Sequence, residues 1–421
     1  MPNLVPEKQR RFAVQVVRRL RDAGFQASWA GGCVRDRLLG QTPKDYDVAT
    51  DATPPEIREL FGKRRTLAIG AAFGVITVLG PEDAGQIEVA TFRRDAAYTD
   101  GRHPDSVSFS SAREDASRRD FTINGLFYDP IEERVIDFVD GQEDLRRRVL
   151  RAIGDAHERF GEDKLRMLRA IRFSARFRFP LEADTLAAIR EMADQITVVS
   201  PERIAMEMRQ ILVTPTRCTA VRLLLDTGLA AVILPEIVPA DETGRRRLDH
   251  TLTVLDRLEE PGFPLALAAL LHPVVDAARA GQLGKRWRLS NQETDRVGWL
   301  VGHHAALDRA RSTPWSRVQR ILIAEGIEDL LALAEAVALA GSGDTSEIAW
   351  CRAKLAEPDE ALNPPPLLTG DDLIRHGVPP GPNYGVLLNR VRDAQLDAEI
   401  ETRDDALALV DRLLKEGVTE D

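Results

Sequence analysis

The feature that most restricts the fold is a change of period partway along the chain. Up to about residue 140, short β-like runs alternate with helical patterns: an amphipathic opening helix, then strand candidates at residues 25–30, 46–50, 74–79 and 87–92. From Glu143 onward the apolar residues recur every three or four positions, and Pro, Gly and short polar clusters only punctuate them. An α/β region followed by helices throughout is expected. With 421 residues the chain is too long for one ordinary core, so it should divide into two to four domains.

Composition narrows the class. Hydrophobic residues at 43% and charged residues at 29% describe a soluble globular protein. No run approaches the roughly 18 apolar residues of a spanning helix, and residues 1–11 are polar, so a cytoplasmic location is expected. Cys33, Cys218 and Cys351 are scattered, fit no metal spacing and suggest structural thiols. A net charge of −10 argues against indiscriminate coating of nucleic acid, so any contact with nucleic acid must be local. One such locality stands out: residues 145–178 hold eleven Arg or Lys against four acidic residues. The Asn-Pro-Pro-Pro run at 363–366 is stiff and sets off a small C-terminal unit that includes residues 379–382.

Gly31-Gly32 follows a strand candidate and precedes a helical run at 33–39, where free backbone N–H groups can hold phosphate oxygens. Asp45 and Asp47 lie two apart in a strand-like segment, so both carboxylates point to one face. A pair of carboxylates suits a hard cation such as Mg²⁺, which keeps substrate phosphates in its shell. Glu88, in the strand candidate 87–92, can close the site from a neighbouring strand, and three such groups would serve a two-ion site.

Here the sequence resembles a known family. Gly31-Gly32-x-x-Arg35-Asp36-x-x-Leu39-Gly40 followed by Asp45-Tyr46-Asp47 is similar to the active-site signature of class II nucleotidyltransferases, the family of CCA-adding enzymes (tRNA nucleotidyltransferases) and bacterial poly(A) polymerases. Arg118-Arg119-Asp120-Phe121-Thr122-Ile123-Asn124 resembles its Arg-Arg-Asp motif, and Asp137-Phe138-Val139-Asp140-Gly141 with Asp144-Leu145 its head-to-neck connection. Glu162-Asp163-x-x-Arg166-x-x-Arg169-Ala170-x-Arg172-Phe173 resembles its nucleotide-selecting motif. Leu368-Thr369-Gly370-x-Asp372-Leu373 with Gly381-Pro382 is a sparser likeness. The resemblance implies an α+β catalytic head with a small mixed sheet (1–141), then an all-α neck (142–213), body (214–360) and tail (361–421). It implies Mg²⁺ held by Asp45 and Asp47, with Glu88 catalytic, ATP and CTP as substrates, and tRNA as partner, gripped at its acceptor stem and elbow. It also assigns Arg118, Arg119 and Asp120 with Asn124 to the ribose and triphosphate, beside Gly31, Gly32 and Arg35.

No template directs the incoming base in that family, so side chains must read it. Asp163 and Arg166 are three apart on a predicted helix and should be neighbours. Asp offers acceptors only and Arg donors only. Cytosine and adenine both present an amino donor beside a ring-nitrogen acceptor, whereas guanine and uracil reverse the order, so one such pair accepts CTP and ATP together. Arg169, Arg172 and Arg176 continue the face toward triphosphate or RNA backbone.

The polar stretch around Asp100, Gly101 and Arg102 lies where the family carries a flexible loop needed for the last A. A CCA-adding or an A-only enzyme is therefore favoured over a CC-only one; CCA addition is preferred, with A-only addition and then poly(A) synthesis as alternatives, and the acidic segment 404–421 counts against the last. Two readings of other classes are a catalytically silent RNA-binding protein and a metal-dependent HD phosphohydrolase. The latter rests on Asp249-His250 and Leu271-His272-Pro273, but Pro273 stands where such a domain needs Asp, so His250, His272, His303 and His304 are expected to be a relic or ordinary helix residues. Trp287, Trp299 and Trp315 are expected to fill cores.

Overall fold

The computed structural model describes residues 5–81, 83–95, 107–341, 343–379 and 383–416. The chain forms two compact units, Met1–Val238 and Pro239–Asp421.

The first unit opens with α1 (Pro6–Asp22), whose Ala13, Val16, Val17 and Leu20 recur at helical spacing, are fully buried and pack on the sheet. The strands are β1 (Ala27–Ala30), β2 (Asp47–Thr50), β3 (Thr66–Leu67), β4 (Val75–Leu79), β5 (Gln86–Thr91), β6 (Arg93–Asp95), β7 (Val107–Phe109), β8 (Phe127–Asp129) and β9 (Arg134–Ile136). Seven form one sheet in the order β3-β4-β5-β2-β1-β8-β9, and β6 pairs with β7. The sheet is mixed, because β2 and β5 run parallel while the other described pairs are antiparallel.

All four strand candidates are present, as β1, β2, β4 and β5. The strands not anticipated have two or three residues each, too few to display an alternation. One sheet face buries Val48, Ile76, Val78, Ile87 and Val89. The other gathers a smaller core of Ala30, Ala49, Phe92, Ala116 and Phe127.

Three short helices interrupt the strands: α2 (Gly32–Leu38), α3 (Pro54–Phe61) and α4 (Ala112–Ser117). After β9 the unit is helical, with α5 (Gly141–Arg147), α6 (Ala156–Glu162), α7 (Leu165–Phe177), α8 (Ala183–Met192), α9 (Pro201–Leu212), α10 (Arg217–Asp226) and α11 (Leu229–Ile233). Helix α7 packs on α9 and α10 through buried residues such as Met167, Leu168 and Ile171.

The described part of the second unit is helical: α12 (Glu242–Arg257), α13 (Phe263–Leu271), α14 (Ala277–Arg286), α15 (Asn291–His303), α16 (Trp315–Leu322), α17 (Ile327–Ala340), α18 (Ser346–Leu355), α19 (Asp359–Leu362), α20 (Gly370–Arg375), α21 (Asn383–Leu396) and α22 (Arg403–Glu416). Helix α13 is apolar on every side and is wrapped by α12, α15 and α17. Beyond the non-helical proline run, Leu373, Leu387, Val391, Ala406 and Val410 build a separate small core. Trp287 is buried, while Trp299 is half-buried under Arg296 and Trp315 meets Trp350 edge-on. Among the described residues no helix is long and apolar enough to cross a membrane.

Candidate active site

Tyr46 is buried and meets Trp29 edge-on with ring centroids 4.7 Å apart, and Trp29 in turn stacks on Tyr128. With Tyr46 and Val48 turned inward, the pleat sends Asp45 and Asp47 to the opposite, exposed side. The parallel register of β2 and β5 then sets Asp47 directly beside Glu88. The three expected carboxylates thus share one face at one end of the sheet.

Their surroundings divide them. A cavity of about 750 Å³ is lined by Asp45 and Asp47 together with Gly31, Gly32, Arg35, Arg118, Arg119, Asp120, Asn124, Asp163, Arg166, Arg169 and Arg172. Leu165, Phe173, Arg176 and Arg203 complete its wall, but Glu88 lies outside it. Although part of Asp47 reaches solvent, enclosure by the cavity raises its pKa to about 6; Glu88 and Asp45 add to the rise and Arg119 opposes it. Like charge gathered at one point is what a divalent cation would relieve. Carboxylate oxygens of Asp45 and Asp47 are fitting donors for Mg²⁺. Among the described residues no group of three or more His, Cys, Asp or Glu is arranged to hold a metal ion, so a cation at the pair would complete its shell with substrate oxygens.

Gly31 has φ +72°, and a Cβ there would come within 2.7 Å of an Arg119 guanidinium nitrogen, so only glycine serves. Its N–H donates to the Leu126 carbonyl at 2.9 Å, tying the Gly-Gly turn to the end of the Arg-Arg-Asp segment. Arg35 borders the cavity but is only 4% exposed; it donates to Asp36 and to Asn124, and its guanidinium lies over Phe177 at 4.6 Å. These contacts join the turn to α7 at the wall of the cavity.

Arg118 and Arg119 converge on the buried Asp115, at 2.6 and 3.0 Å. Asp120 receives the Phe121 N–H, the Asn124 amide at 3.0 Å and both Nε and an Nη of Arg169 at 2.9 and 2.6 Å. Burial by itself would raise the Asp120 pKa, but Arg169, Asn124 and Arg166 outweigh it and hold the carboxyl at about 2. Both Asp120 oxygens are engaged within the protein, which makes this cavity-lining residue the anchor of Arg169.

This anchor carries a pH prediction. Because the folded pKa lies below the ordinary carboxylate value, its stabilisation is present above pH 4 and is lost as pH falls toward 2; the amount is about 2 kcal/mol. Thermal unfolding of wild type and Asp120→Asn between pH 2.5 and 7 should show the two midpoints far apart at neutral pH and converging in acid. A constant separation would remove this account of the pair.

The base-reading pair requires a correction. Asp163 and Arg166 are not on one helix: α6 ends at Glu162, Asp163 is extended (φ −145°, ψ 105°), and α7 begins at Leu165. The cause is local, because the Asp163 carboxylate accepts the Leu165 N–H at 3.0 Å and so breaks one helix and starts the next. Its other oxygen receives Arg203 of α9 at 2.7 Å. Arg166 donates to the Arg159 carbonyl at 2.9 Å, to the Glu162 carboxylate and to the Arg118 carbonyl at 3.1 Å. Each is oriented by other residues, and both face the cavity that holds Asp45 and Asp47.

Arg172 donates to the buried Glu207 at 2.7 Å, Arg169 stands 3.8 Å from the same carboxylate, and Arg176 lies 3.8 Å from Asp36. Asp115, Arg203 and Glu207 were not expected from the sequence. Arg203 and Glu207 are four apart in an ordinary amphipathic helix, where charged pairs are commonplace, so only their partners reveal them. The loop residues Asp100, Gly101 and Arg102, and Gly381-Pro382, lie outside the described residues.

In the second unit the histidines do approach one another: the His272 ring centre is 6.1 Å from that of His250 and 5.2 Å from that of His304, while His303 stacks on Trp299. Burial lowers the His272 pKa to about 4, helped by His304 and His250 and opposed by its bond to the Ala269 carbonyl. They form no metal-holding group among the described residues.

Comparison with known proteins matches residues 27–151 to the family described as Poly A polymerase head domain, and residues 178–240 to one described as Probable RNA and SrmB- binding site of polymerase A. The chain is similar to the CCA-adding enzyme of Geobacillus kaustophilus, with 35% identity over 92% of this chain and 93% of that one. It is similar also to the CCA-adding enzyme of Lactobacillus helveticus, with 33% identity over 94% and 95%. Among solved structures, the Bacillus stearothermophilus CCA-adding enzyme in complex with CTP superposes with a TM-score of 0.76 and 28% identity, covering 97% of this chain and 98% of that one. The likeness runs along nearly the whole chain and includes the carboxylate strand and the Arg-Arg-Asp segment, and on these grounds the chain belongs to the CCA-adding enzyme family of RNA nucleotidyltransferases.

Proposed function

We propose that this enzyme adds C, C and A to the 3′ end of tRNA, taking CTP and ATP without a nucleic-acid template and releasing pyrophosphate. The observation that carries the reading is that Asp163 and Arg166 line the same cavity as Asp45 and Asp47. A base held by the first pair leaves its triphosphate directed at the second. An amino group of cytosine or adenine donates to Asp163 and the adjacent ring nitrogen accepts from Arg166. A guanine or uracil would set acceptor against acceptor and donor against donor, at a cost that supports discrimination of roughly 10⁴. The CTP complex of the Bacillus stearothermophilus relative supports a nucleotide site on this scaffold.

Mg²⁺ on Asp45 and Asp47 would activate the RNA 3′-hydroxyl and stabilise charge on the departing pyrophosphate. The chain's own part is to place these groups: Arg118 and Arg119, fixed by Asp115, present donors to the phosphates, and Gly31 lets that guanidinium approach the turn. In this reading residues 1–141 are the catalytic head, 142–213 the nucleotide-selecting neck, and 214–360 and 361–421 the body and tail that hold the tRNA, with the work done in the cytoplasm. The test uses tRNA transcripts ending before CCA and after CC, each with labelled CTP or ATP. Incorporation of two C on the first and one A on the second is expected. Absence of C incorporation would leave an A-only enzyme.

A further inference from the structure

Beyond Glu88, the half of the sheet face formed by β4 and β3 has no assigned role. Register places Asp47, Glu88, Thr77 and Leu67 in one row across β2, β5, β4 and β3, and at one strand spacing per step the row extends about 14 Å from Asp47. On β4 and β5 the burial alternates cleanly. Ile76, Val78, Ile87 and Val89 are buried to within 1%, whereas Val75, Thr77 and Leu79 are half-exposed and Glu88 is exposed. Leu67 is 39% exposed, and Ile69 just beyond it is 89% exposed. This is an apolar, open floor with a carboxylate at one end.

We propose that the 3′-terminal nucleotides of the RNA lie along this row, over Leu67 and Thr77, and deliver the terminal hydroxyl to Glu88 and Asp47. The inference rests on the reading that the enzyme extends RNA, and it identifies where that RNA sits. Three observations favour this occupant. First, displacement at phosphorus needs the attacking and leaving oxygens roughly in line. The cavity that takes the triphosphate is lined by Asp47 but not by Glu88, so the hydroxyl must arrive from the Glu88 side. Second, the floor is continuous with the catalytic carboxylates through backbone register alone, with Thr77 offering a hydroxyl next to Glu88 for a ribose. Its apolar remainder suits sugar and base faces, which stack without sequence preference. Third, Lys63, Arg64 and Arg65 immediately precede β3 and are exposed. In a chain of net charge −10, three adjacent cations at the outer end of this row are complementary to an RNA backbone.

The experiment compares wild type, Leu67→Glu and Thr77→Val as full chains, with ATP and a tRNA ending in CC. Michaelis constants for tRNA and for ATP are measured separately, along with fluorescence binding of the same tRNA without nucleotide and the thermal midpoint. Leu67→Glu should raise the tRNA Michaelis constant and dissociation constant at least tenfold, with the ATP constant within twofold and the midpoint unchanged, because the side chain is at an exposed edge. Thr77→Val should raise the tRNA constant severalfold without moving the ATP constant. Changing Lys63, Arg64 and Arg65 together to Ala should flatten the salt dependence of tRNA binding. Leu67→Glu that binds tRNA as wild type does would overturn the docking. A wild type that binds tRNA but never extends it would instead overturn the functional reading, so the two failures are told apart.

Discussion

Asp47→Ala is expected to reduce nucleotide incorporation by about 10³-fold or more, since a catalytic cation contributes several kcal/mol to the transition state and each 1.36 kcal/mol is tenfold. The same variant should be no less stable than wild type. Asp47 stands beside Glu88 in register and two residues from Asp45, and its raised pKa shows that its charge is resisted by the folded protein. Deleting it removes that repulsion. Loss of activity together with an equal or higher unfolding midpoint would mark a residue kept for chemistry at the expense of stability. Single-turnover extension with saturating MgCl₂, read beside a thermal melt, supplies both numbers. Incorporation equal to wild type would show that the site is elsewhere, whereas no incorporation by either protein would favour a silent RNA-binding protein.

The second large effect concerns selection. Asp163→Ala and Arg166→Ala should each collapse the preference for CTP and ATP over GTP and UTP from roughly 10⁴ to within about a hundredfold, because the penalty on a wrong base comes from unpaired polar groups facing it. Arg166→Ala should also weaken the cavity wall, as it removes the donors to the Arg159 and Arg118 carbonyls. Competition assays with all four nucleotides, on tRNAs ending before CCA for CTP and after CC for ATP, measure the ratios directly. If GTP and UTP remain rejected by both variants, the base is read elsewhere.

How far these sites were legible follows from particular residues. The carboxylate trio could be found because the period of a strand is two and a buried Tyr46 between Asp45 and Asp47 marks which side is inward. The pair Asp163 and Arg166 was identified by motif but misplaced in structure. A helical pattern runs across 156–177, and nothing in it announces that the Asp163 side chain will capture the Leu165 N–H and split it. Asp120 and Arg35 are a different case, since their residue types suit substrate contact equally well. Only the observed partners, Arg169 for one and Asp36 with Asn124 for the other, reveal the part each takes in holding the cavity wall together. Asp115, Arg203 and Glu207 were illegible for the opposite reason, as each is a common residue in a common helical context.

One consequence concerns turnover. The cavity presents eight arginines and four aspartates, and behind them Asp115 and Glu207 hold four of those guanidinium groups, Arg118 and Arg119 on one and Arg169 and Arg172 on the other. On the proposed reading, an arriving triphosphate would exchange partners with resident carboxylates instead of meeting bare cations, and its departure as pyrophosphate would be favoured as those carboxylates recover their arginines. A pocket built this way grips its cargo moderately and lets the spent fragment go, which suits an enzyme that must refill the same site before each addition.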